Sequence, residues 1–390
     1  MSFVDRWLLP DGVEDVLPPQ AKKLEVVRRR LLDLFETWGY EYVIPPTVEF
    51  LESLLTGTGK DLDLKTFKVV DLVTGRMMGI RADITPQVAR IDAHSLNGEG
   101  IARLCYAGTV VHSKADSMLA SRTPISVGAE LFGETSGRGD LEIVSLMVDA
   151  LKSLGVDRVH VDLGDVAIFR QLVDGLALEA DQQEQLFEAV QRKSVAEIRH
   201  RAETFDLTSG DINMLCELPD LTGDLKVLKR ARDLFGNRPG IVECIDNLES
   251  VAEEMMRRFA DLEVYFDLSE LRGYAYHTGI VFSAFVDGSS QVVAKGGRYD
   301  HIGGVFGREG RGATGFSINL NNLADQLTLE LPARQTVLAR PQESKDMLSL
   351  WAEVQRLRDE GYVVVESGDE AGYDYVLVNE QGGWTLNPSK

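Results

Sequence analysis

The order of hydrophobic and polar positions predicts an α+β protein. Apolar residues recur at helical spacing over residues 24–38, and Gly39 follows them as a C-terminal cap. Residues 40–44 have the character of a strand, which Pro45 ends. Residues 280–286 form a second apolar run of strand length, so helices and strands are both expected in the core.

The rest of the pattern divides the chain into regions of different character. A helix is predicted over residues 141–154 and a strand over residues 159–163. Residues 166–259 are helical and charged, and their charged side chains fit a solvated face. Beyond residue 331 only a short mixture of strands and one helix remains. A chain of 390 residues with these changes is expected to contain two or three domains.

The charge balance excludes one class of partner. The chain has 41 Lys and Arg against 62 Asp and Glu, a net charge of −21. Nucleic-acid-binding proteins gain affinity when Lys and Arg displace counterions from phosphates, and no strongly basic run is present in the sequence. We therefore expect no nucleic-acid partner.

The apolar runs and the cysteines of the sequence indicate the cellular compartment and whether a metal site is expected. No apolar run is long enough to cross a bilayer, and the first residues lack a signal-peptide pattern, so no membrane association is expected. Cys105, Cys216 and Cys244 are far apart and lack metal-ligand spacing. The sequence predicts a cytoplasmic protein with reduced thiols and no metal site.

Residues 270–300 concentrate side chains that recognise small polar ligands. Arg272, Tyr276 and His277 lie at one end of a predicted hairpin, and two glycines precede Arg298 at the other. Cations pair with carboxylates, and hydroxyl groups hydrogen-bond to ring nitrogens. Such a cluster suits a small zwitterion.

A second segment, residues 81–86, supplies a carboxylate and a hydroxyl group. Asp83 suits an α-ammonium, because a charge-assisted hydrogen bond at a shielded site stabilises by ~1.5–3 kcal/mol. Alternatively, Asp83 caps the helix predicted over residues 86–93. That alternative is favoured if the segment is considered alone.

Together, these segments resemble the motifs of class II aminoacyl-tRNA synthetases. The first motif is the helix and strand of residues 20–46, the second is a strand, loop and strand over residues 105–133, and the third is the glycine-rich strand before Asn322. Residues 270–300 resemble the histidine-recognition segment of histidyl-tRNA synthetases. The resemblance covers residues 8 to about 325, and four motifs in the family's order make it specific.

The resemblance implies a class II fold, an antiparallel sheet flanked by helices. The core would comprise residues 1–165 and 260–328, with a helical insertion over 166–259. Residues 329–390 would form a small α/β domain, shorter than a synthetase's anticodon-binding domain. In the family the first motif forms the dimer interface, which implies a dimer through residues 20–46.

The resemblance also implies a histidine site. Its residues would be Asp83, Thr85, Ser126, Glu130, Arg272, Tyr276 and His277. Asp83 and Glu130 would hold the α-amino or imidazole nitrogens, and Arg272 would face the carboxylate. Tyr276 and His277 would line the ring pocket. Ser126, Ala275 and His277 replace the family's Gln, Asp and Tyr.

The nucleotide side of the family's site has changed. His112 and Asn322 replace arginines, and Lys114 replaces a glutamate. Arginines hold the α-phosphate during adenylation, and the loss of two such donors reduces the rate by roughly 10⁴ or more. Arg122 and Arg298 are retained and are expected to be structural. We expect no catalytic residues and no cofactor.

Residues 8–15 and 79–87 resemble the regulatory subunits of ATP phosphoribosyltransferase, the synthetase-like partners of short-form catalytic subunits. This implies a non-catalytic dimer that activates the first step of histidine biosynthesis and through which histidine, the effector, inhibits the complex. Two alternatives stay open. One is an active histidyl-tRNA synthetase, and the other is a stand-alone histidine-binding scaffold with an unrelated partner.

Overall fold

The computed structural model describes residues 7–57, 59–96, 98–115, 117, 120–307, 311–329, 331, 333–340, 347–380 and 383–389. The chain forms two compact units, Met1–Thr328 and Leu329–Lys390. Residues 116, 118 and 119 of the loop that joins the strands of the second motif lie outside the described residues.

The strands of the first unit are mostly short. Within the described ranges they are β1 (Glu41–Tyr42), β2 (Val48–Phe50), β3 (Phe67–Val70), β4 (Met77–Ile80), β5 (Ala102–Thr109), β6 (Ile125–Phe132), β7 (Val159–Asp165), β8 (Thr222–Gly223), β9 (Leu262–Asp267), β10 (Ile280–Val286), β11 (Val292–Arg298) and β12 (Ala313–Asn319).

The helices of this unit vary from one turn to 20 residues. Those in the described part are α1 (Gln20–Thr37), α2 (Leu51–Leu54), α3 (Lys60–Lys65), α4 (Thr85–Arg90), α5 (Gly137–Ser153), α6 (Val166–Asp174), α7 (Ala180–Gln191), α8 (Val195–Thr204), α9 (Ser209–Glu217), α10 (Lys226–Phe235), α11 (Pro239–Arg258), α12 (Ile302–Val305) and α13 (Leu320–Gln326).

A large sheet organises the first unit. Its described strands run in the order β1-β5-β6-β12-β11-β10-β7-β9-β8. The neighbours from β5 to β7 are antiparallel, whereas β1 pairs with β5 and β9 pairs with β7 in parallel. Strands β2, β4 and β3 form a separate antiparallel sheet. This architecture confirms the predicted fold class.

Helices α1 and α5 cover one face of the large sheet. The predicted periodicity of α1 buries Leu24, Val27, Leu31 and Phe35, and the Phe35 ring meets Phe316 of β12 edge to face at 5.8 Å. Helix α5 packs on β12 and on α1. Because side chains alternate along a strand, Gly315 lies on the opposite face. That face carries the candidate site.

Two predicted elements differ from their sequence-based bounds. The strand predicted over residues 40–44 is only Glu41–Tyr42, although Val43 N still donates to the Cys105 carbonyl oxygen at 2.9 Å. Pro45 and Pro46 have no amide hydrogen with which to continue the pairing. The helix predicted over residues 86–93 begins at Thr85, and its last part is a π-helical turn, Ile91–Leu96. In this turn buried Asp92 pairs with Arg311 at 2.7 Å.

The segment predicted to be helical contains α6 to α11 within the described residues. It begins where β7 ends, and Asp165 caps α6 by accepting a hydrogen bond from Ala167 N. Its assignment as an inserted domain stays a prediction. No described helix has the length and apolarity to span a bilayer.

The second unit is a small α/β fragment, as predicted. It comprises β13 (Thr336–Ala339), α14 (Met347–Asp359), β14 (Val363–Val365), β15 (Tyr375–Glu380) and β16 (Gly383–Pro388) in its described part. The sheet order is β14-β13-β15-β16. Leu350, Val354 and Leu357 of α14 pack against the sheet residues Val337 and Leu377. The sequence pattern did not reveal β16.

Candidate functional site

The candidate site lies over three glycines on neighbouring strands. Gly128 of β6, Gly315 of β12 and Gly297 of β11 occur on one face, since Gly315 pairs with both Gly297 and Glu130. A Cβ atom on Gly315 would lie 1.6 Å from Glu130 Oε2, and one on Gly128 would lie 2.5 Å from the Tyr106 hydroxyl. The glycines therefore leave room for polar side chains against the sheet.

Glu130 is the centre of this polar cluster and is buried. Its Oε1 accepts a hydrogen bond from Thr85 Oγ1 at 2.7 Å, and its Oε2 accepts one from the Tyr299 hydroxyl. The Thr85 hydroxyl is also 3.3 Å from the Tyr106 hydroxyl. These contacts bring two of the predicted site residues, Thr85 and Glu130, together across β6 and the start of α4.

Asp83 lies at the more exposed side of the cluster. Its Oδ1 accepts a hydrogen bond from Thr85 N at 3.0 Å, the contact expected of a residue that helps to cap α4. Among the described residues its carboxylate makes no other hydrogen bond. Asp83 is close enough to Glu130 and Tyr106 for its negative charge to raise their pKa values. It can therefore cap the helix and still present one oxygen to a ligand.

Ser126 borders the same surface. It occurs two positions before Gly128 on β6, and it pairs with Gly108 of β5, two positions after Tyr106, so it faces the same side of the sheet. The structure thus places the predicted residue Ser126 beside Tyr106.

Tyr276 and His277 project toward the glycines. The Tyr276 ring stacks on Tyr299 at 4.9 Å, and its hydroxyl oxygen is buried without a hydrogen-bond partner among the described residues. A Cβ atom on Gly297 would lie 2.7 Å from His277 Cδ2. A buried hydroxyl group without a partner is costly, so it marks a position where a polar ligand atom is favourable.

Arg272 does not join the cluster. Its guanidinium lies 2.8 Å from Glu270 and its side chain is 62% exposed. Nearby carboxylates, first of all hydrogen-bonded Glu270, raise the pKa of Arg272. Ala275 is also exposed and lies beside Gly59. The structure therefore brings together six of the seven predicted site residues and leaves Arg272 outside.

The positions of the nucleotide side make local contacts. His112 Nε2 is 3.0 Å from the Ala82 carbonyl oxygen, and Lys114 is exposed. The Asn322 amide donates a 3.4 Å hydrogen bond to the Val292 carbonyl. None of the three offers a guanidinium at this side of the site.

Arg122 and Arg298 have structural contacts, as predicted. Arg122 Nε donates to the His112 carbonyl at 2.9 Å. The Arg298 guanidinium is buried and lies 2.9 Å from the buried carboxylate of Asp140. Both arginines fix loops around the site.

Sequence reasoning missed Tyr106 and Tyr299 as site residues. Both are fully buried in a hydrophobic cluster that also contains Ile84, Val88 and Phe132. Tyr299 could have been found from its spacing, because a residue two positions after Gly297 projects to the same face of the strand. Their phenols support Glu130 and Thr85 from fixed positions.

Burial controls the protonation of this cluster. Burial raises the pKa of Glu130 to about 8, although hydrogen bonds from Tyr299 and Thr85 act in the opposite direction. Burial also raises the pKa of Tyr276 and lowers the pKa of His277 to about 4. At pH 7 the imidazole is neutral, and Glu130 holds a proton that a cationic ligand would displace.

Comparison with known proteins gives the family. A family model described as "Histidyl-tRNA synthetase" matches residues 12–323. An ATP phosphoribosyltransferase regulatory subunit from Stutzerimonas stutzeri is 48% identical over 100% of this chain and 99% of its own length. The corresponding protein of Pseudomonas fluorescens (strain Pf0-1) is also 48% identical, with the same coverage. The chain belongs to the family of ATP phosphoribosyltransferase regulatory subunits.

Solved structures have the fold of this regulatory-subunit family. An ATP phosphoribosyltransferase regulatory subunit/histidyl-tRNA synthetase from Bacillus halodurans matches with a TM-score of 0.80 at 24% identity, covering 93% of this chain and 92% of that one. A histidyl-tRNA synthetase from Nostoc sp. PCC 7120 gives 0.76 at 17% identity, covering 95% and 91%. At these identities the likeness shows the shared fold.

The raised pKa of Glu130 predicts that the unfolding free energy of this member of the regulatory-subunit family depends on pH. The folded-state pKa of about 8 lies above the ordinary value of 4.5, so the folded protein binds the proton more tightly than the unfolded chain does. The contribution of Glu130 is complete below pH 4.5 and is lost as the pH rises through 8. Glu130→Gln removes this dependence and should gain on the order of 3–5 kcal/mol in unfolding free energy relative to wild type across that range.

Urea unfolding of both proteins from pH 5 to pH 9 measures this difference. Asp165, whose pKa burial raises to about 7, titrates in both proteins, and its effect cancels in the difference. A difference that stays constant with pH would contradict the raised pKa of Glu130.

Proposed function

We propose that this chain is the non-catalytic regulatory subunit of an ATP phosphoribosyltransferase and that its glycine-floored pocket binds histidine. The observation that carries the proposal is a contrast within one site. Glu130, Thr85 and Tyr276 converge around a buried polar surface, whereas His112, Lys114 and Asn322 offer no guanidinium to a nucleotide.

Histidine fits the pocket in one orientation. The inner end contains aromatic rings, Glu130 and the unpartnered Tyr276 hydroxyl, which suit an imidazole with one nitrogen donor and one acceptor. The outer end contains Asp83, which suits the α-ammonium. We therefore assign the ring to Glu130 and Tyr276 and the ammonium to Asp83.

Arg272 is the proposed partner of the histidine carboxylate, and this requires an exchange of ion pairs. In its present pair the Arg272 side chain is 62% exposed and the Glu270 side chain 25% exposed. Ion pairs near the surface stabilise by only about 0–1 kcal/mol, so one carboxylate can replace another at modest cost. The carboxylate would thus draw the segment around Arg272 toward the pocket.

The proposed partners are a short-form catalytic subunit and a second copy of this chain. The relatives are named as regulatory subunits of ATP phosphoribosyltransferase. For the dimer, residues 20–46 offer β1, which pairs only with β5 among the described strands, and the exposed side chains of Tyr42 and Ile44. We place the complex in the cytoplasm, without nucleic acid.

Histidine would inhibit the complex through a coupling free energy. A ligand shifts an equilibrium only by its differential affinity for the two states, typically about 1–3 kcal/mol or 5–150-fold. In the proposal, the free regulatory subunit and histidine have opposite effects on the catalytic subunit: the first activates it and the second reverses the activation.

The decisive experiment mixes this protein with a short-form catalytic subunit and measures phosphoribosyltransferase activity across a histidine titration. We expect a rise in rate on mixing that histidine reverses by about 5- to 150-fold. No rise on mixing would contradict the regulatory role, and a rise that histidine leaves unchanged would contradict the effector role.

A second assay separates this role from that of a synthetase. Histidine-dependent ATP–pyrophosphate exchange is expected to stay at background. Exchange at a rate typical of synthetases would overturn the non-catalytic assignment, whereas histidine binding without activation would favour a scaffold with another partner.

A further inference from the structure

The loop that contains Tyr276 and His277 contacts both the candidate site and the helical segment. We call residues 271–279 the pocket loop. Tyr276 and His277 project into the candidate histidine site, but Tyr274 lies against the helices that follow β7. One short segment of backbone therefore connects the pocket to the helical segment.

A single arginine of α6 holds this loop. Arg170 Nη2 donates hydrogen bonds to the carbonyl oxygens of Tyr274 at 2.9 Å and of His277 at 3.0 Å. The same guanidinium lies 4.8 Å from the centre of the Tyr274 ring. Because the two carbonyls are three residues apart, Arg170 fixes the backbone conformation on which Tyr276 is mounted.

Aromatic contacts extend this connection to α7. The Tyr274 ring lies 5.6 Å from Phe169 of α6 and 5.0 Å from Phe187 of α7. At the end of the pocket loop, Val166 N donates to the Gly279 carbonyl at 3.1 Å. The loop is thus attached to the first two helices of the segment at its middle, through Tyr274, and at its last residue, Gly279.

We infer that Arg170 is a positioning residue that couples the histidine pocket to helices α6 and α7. The inference rests on the proposed function, because it concerns how histidine in that pocket is sensed. Arg170 touches neither Glu130 nor Asp83, and it acts through the loop backbone. Histidine bound to Tyr276 and Arg272 displaces the pocket loop. The contacts of Arg170 and Tyr274 transmit this displacement to α7.

Coupling between the pocket and the helices requires a continuous series of tightly packed groups. The guanidinium provides two hydrogen bonds and a ring contact from one rigid plane, whereas a lysine ammonium cannot match that geometry. The N-terminal end of α6 is fixed to the end of β7 through the Asp165 cap. Movement of the loop is therefore expected to appear in α7.

The test is hydrogen–deuterium exchange of the full chain with and without histidine, together with calorimetric measurement of histidine affinity. In the wild type, we expect histidine to slow exchange in residues 271–279 and in residues 166–191. In Arg170→Gln, affinity should fall by roughly 2- to 30-fold and, at saturating histidine, the protection of residues 166–191 should disappear. Arg170→Lys should restore part of the affinity.

The matched control is Arg199→Gln, an exposed arginine on α8 that does not contact the loop. It should reproduce the wild-type affinity and protection. Retention of histidine-induced protection over residues 166–191 in Arg170→Gln would overturn the inference. Failure of the wild type to bind histidine would instead overturn the proposed function, so the two failures are distinguishable.

A second variant keeps the test valid if Arg170→Gln does not fold. Phe187→Ala removes the contact between α7 and Tyr274 and leaves every pocket residue in place. We expect protection of the loop to persist at saturating histidine and protection of residues 180–191 to be lost. Protection of both regions in Phe187→Ala would contradict the coupling.

Discussion

Glu130→Gln is expected to weaken histidine binding by about 10- to 150-fold, while the same variant is more stable than the wild type at pH 8. Loss of one partner of a buried hydrogen bond costs about 1–3 kcal/mol, and most of this range corresponds to that loss of affinity. The gain in stability arises because glutamine has no proton to lose in a buried site where the pKa of Glu130 is about 8. Calorimetric titration and urea unfolding measure the two effects.

Opposite signs make this prediction specific to a ligand site. A substitution that merely disturbs packing would lower affinity and stability together, so a less stable Glu130→Gln at pH 8 would contradict it. Glu263→Gln, an exposed glutamate on β9, is the matched control and should change neither histidine affinity nor stability.

Asp83→Ala should likewise reduce histidine inhibition of the complex, and undiminished inhibition would show that histidine binds elsewhere.

Arg298→Met is expected to destabilise the first unit by about 3–5 kcal/mol. The ion pair between Arg298 and Asp140 is buried, with exposed fractions of 9% and 3% for the two side chains. The guanidinium also binds the carbonyls of Glu134 and Ser136. Removal of one partner leaves a buried carboxylate without compensation. Urea unfolding followed by near-UV circular dichroism measures the loss.

A second substitution tests the cause of that loss. Arg298→Met combined with Asp140→Asn removes the uncompensated charge and should recover roughly half or more of the lost free energy. Arg356→Met on α14 breaks exposed ion pairs and should cost under about 1 kcal/mol. Equal losses in the single and double variants would show that packing, and not charge, is the cause.

Buried aromatic and polar neighbours of the site were only partly predictable. The sequence pointed to Glu130 and Tyr276 because both occur in motifs with a family resemblance. It did not point to Tyr106 or Tyr299, whose role depends on strand pairing between residues far apart in the chain. Strand register is a tertiary property, so a motif alone cannot show which side chains meet across a sheet.

Arg272 illustrates the opposite case. The resemblance predicted that it faces the ligand, whereas its guanidinium pairs with Glu270 and is exposed. Sequence gives the identity of a cation but not its partner, because several carboxylates compete for it at similar free energy. Its proposed role therefore depends on an exchange of partners.

By itself, the sequence determined the α+β fold class and the family, because apolar periodicity and the order of motifs can be read along the chain. It also predicted most members of the candidate pocket. Only the tertiary structure shows the raised pKa of Glu130, the Tyr276 hydroxyl group without a partner among the described residues, and the hydrogen bonds from Arg170 to the pocket loop. Each of these depends on burial and on contacts between distant segments. The electrostatic and hydrogen-bonding character of a side chain is set by its surroundings, and those exist only after the chain has folded.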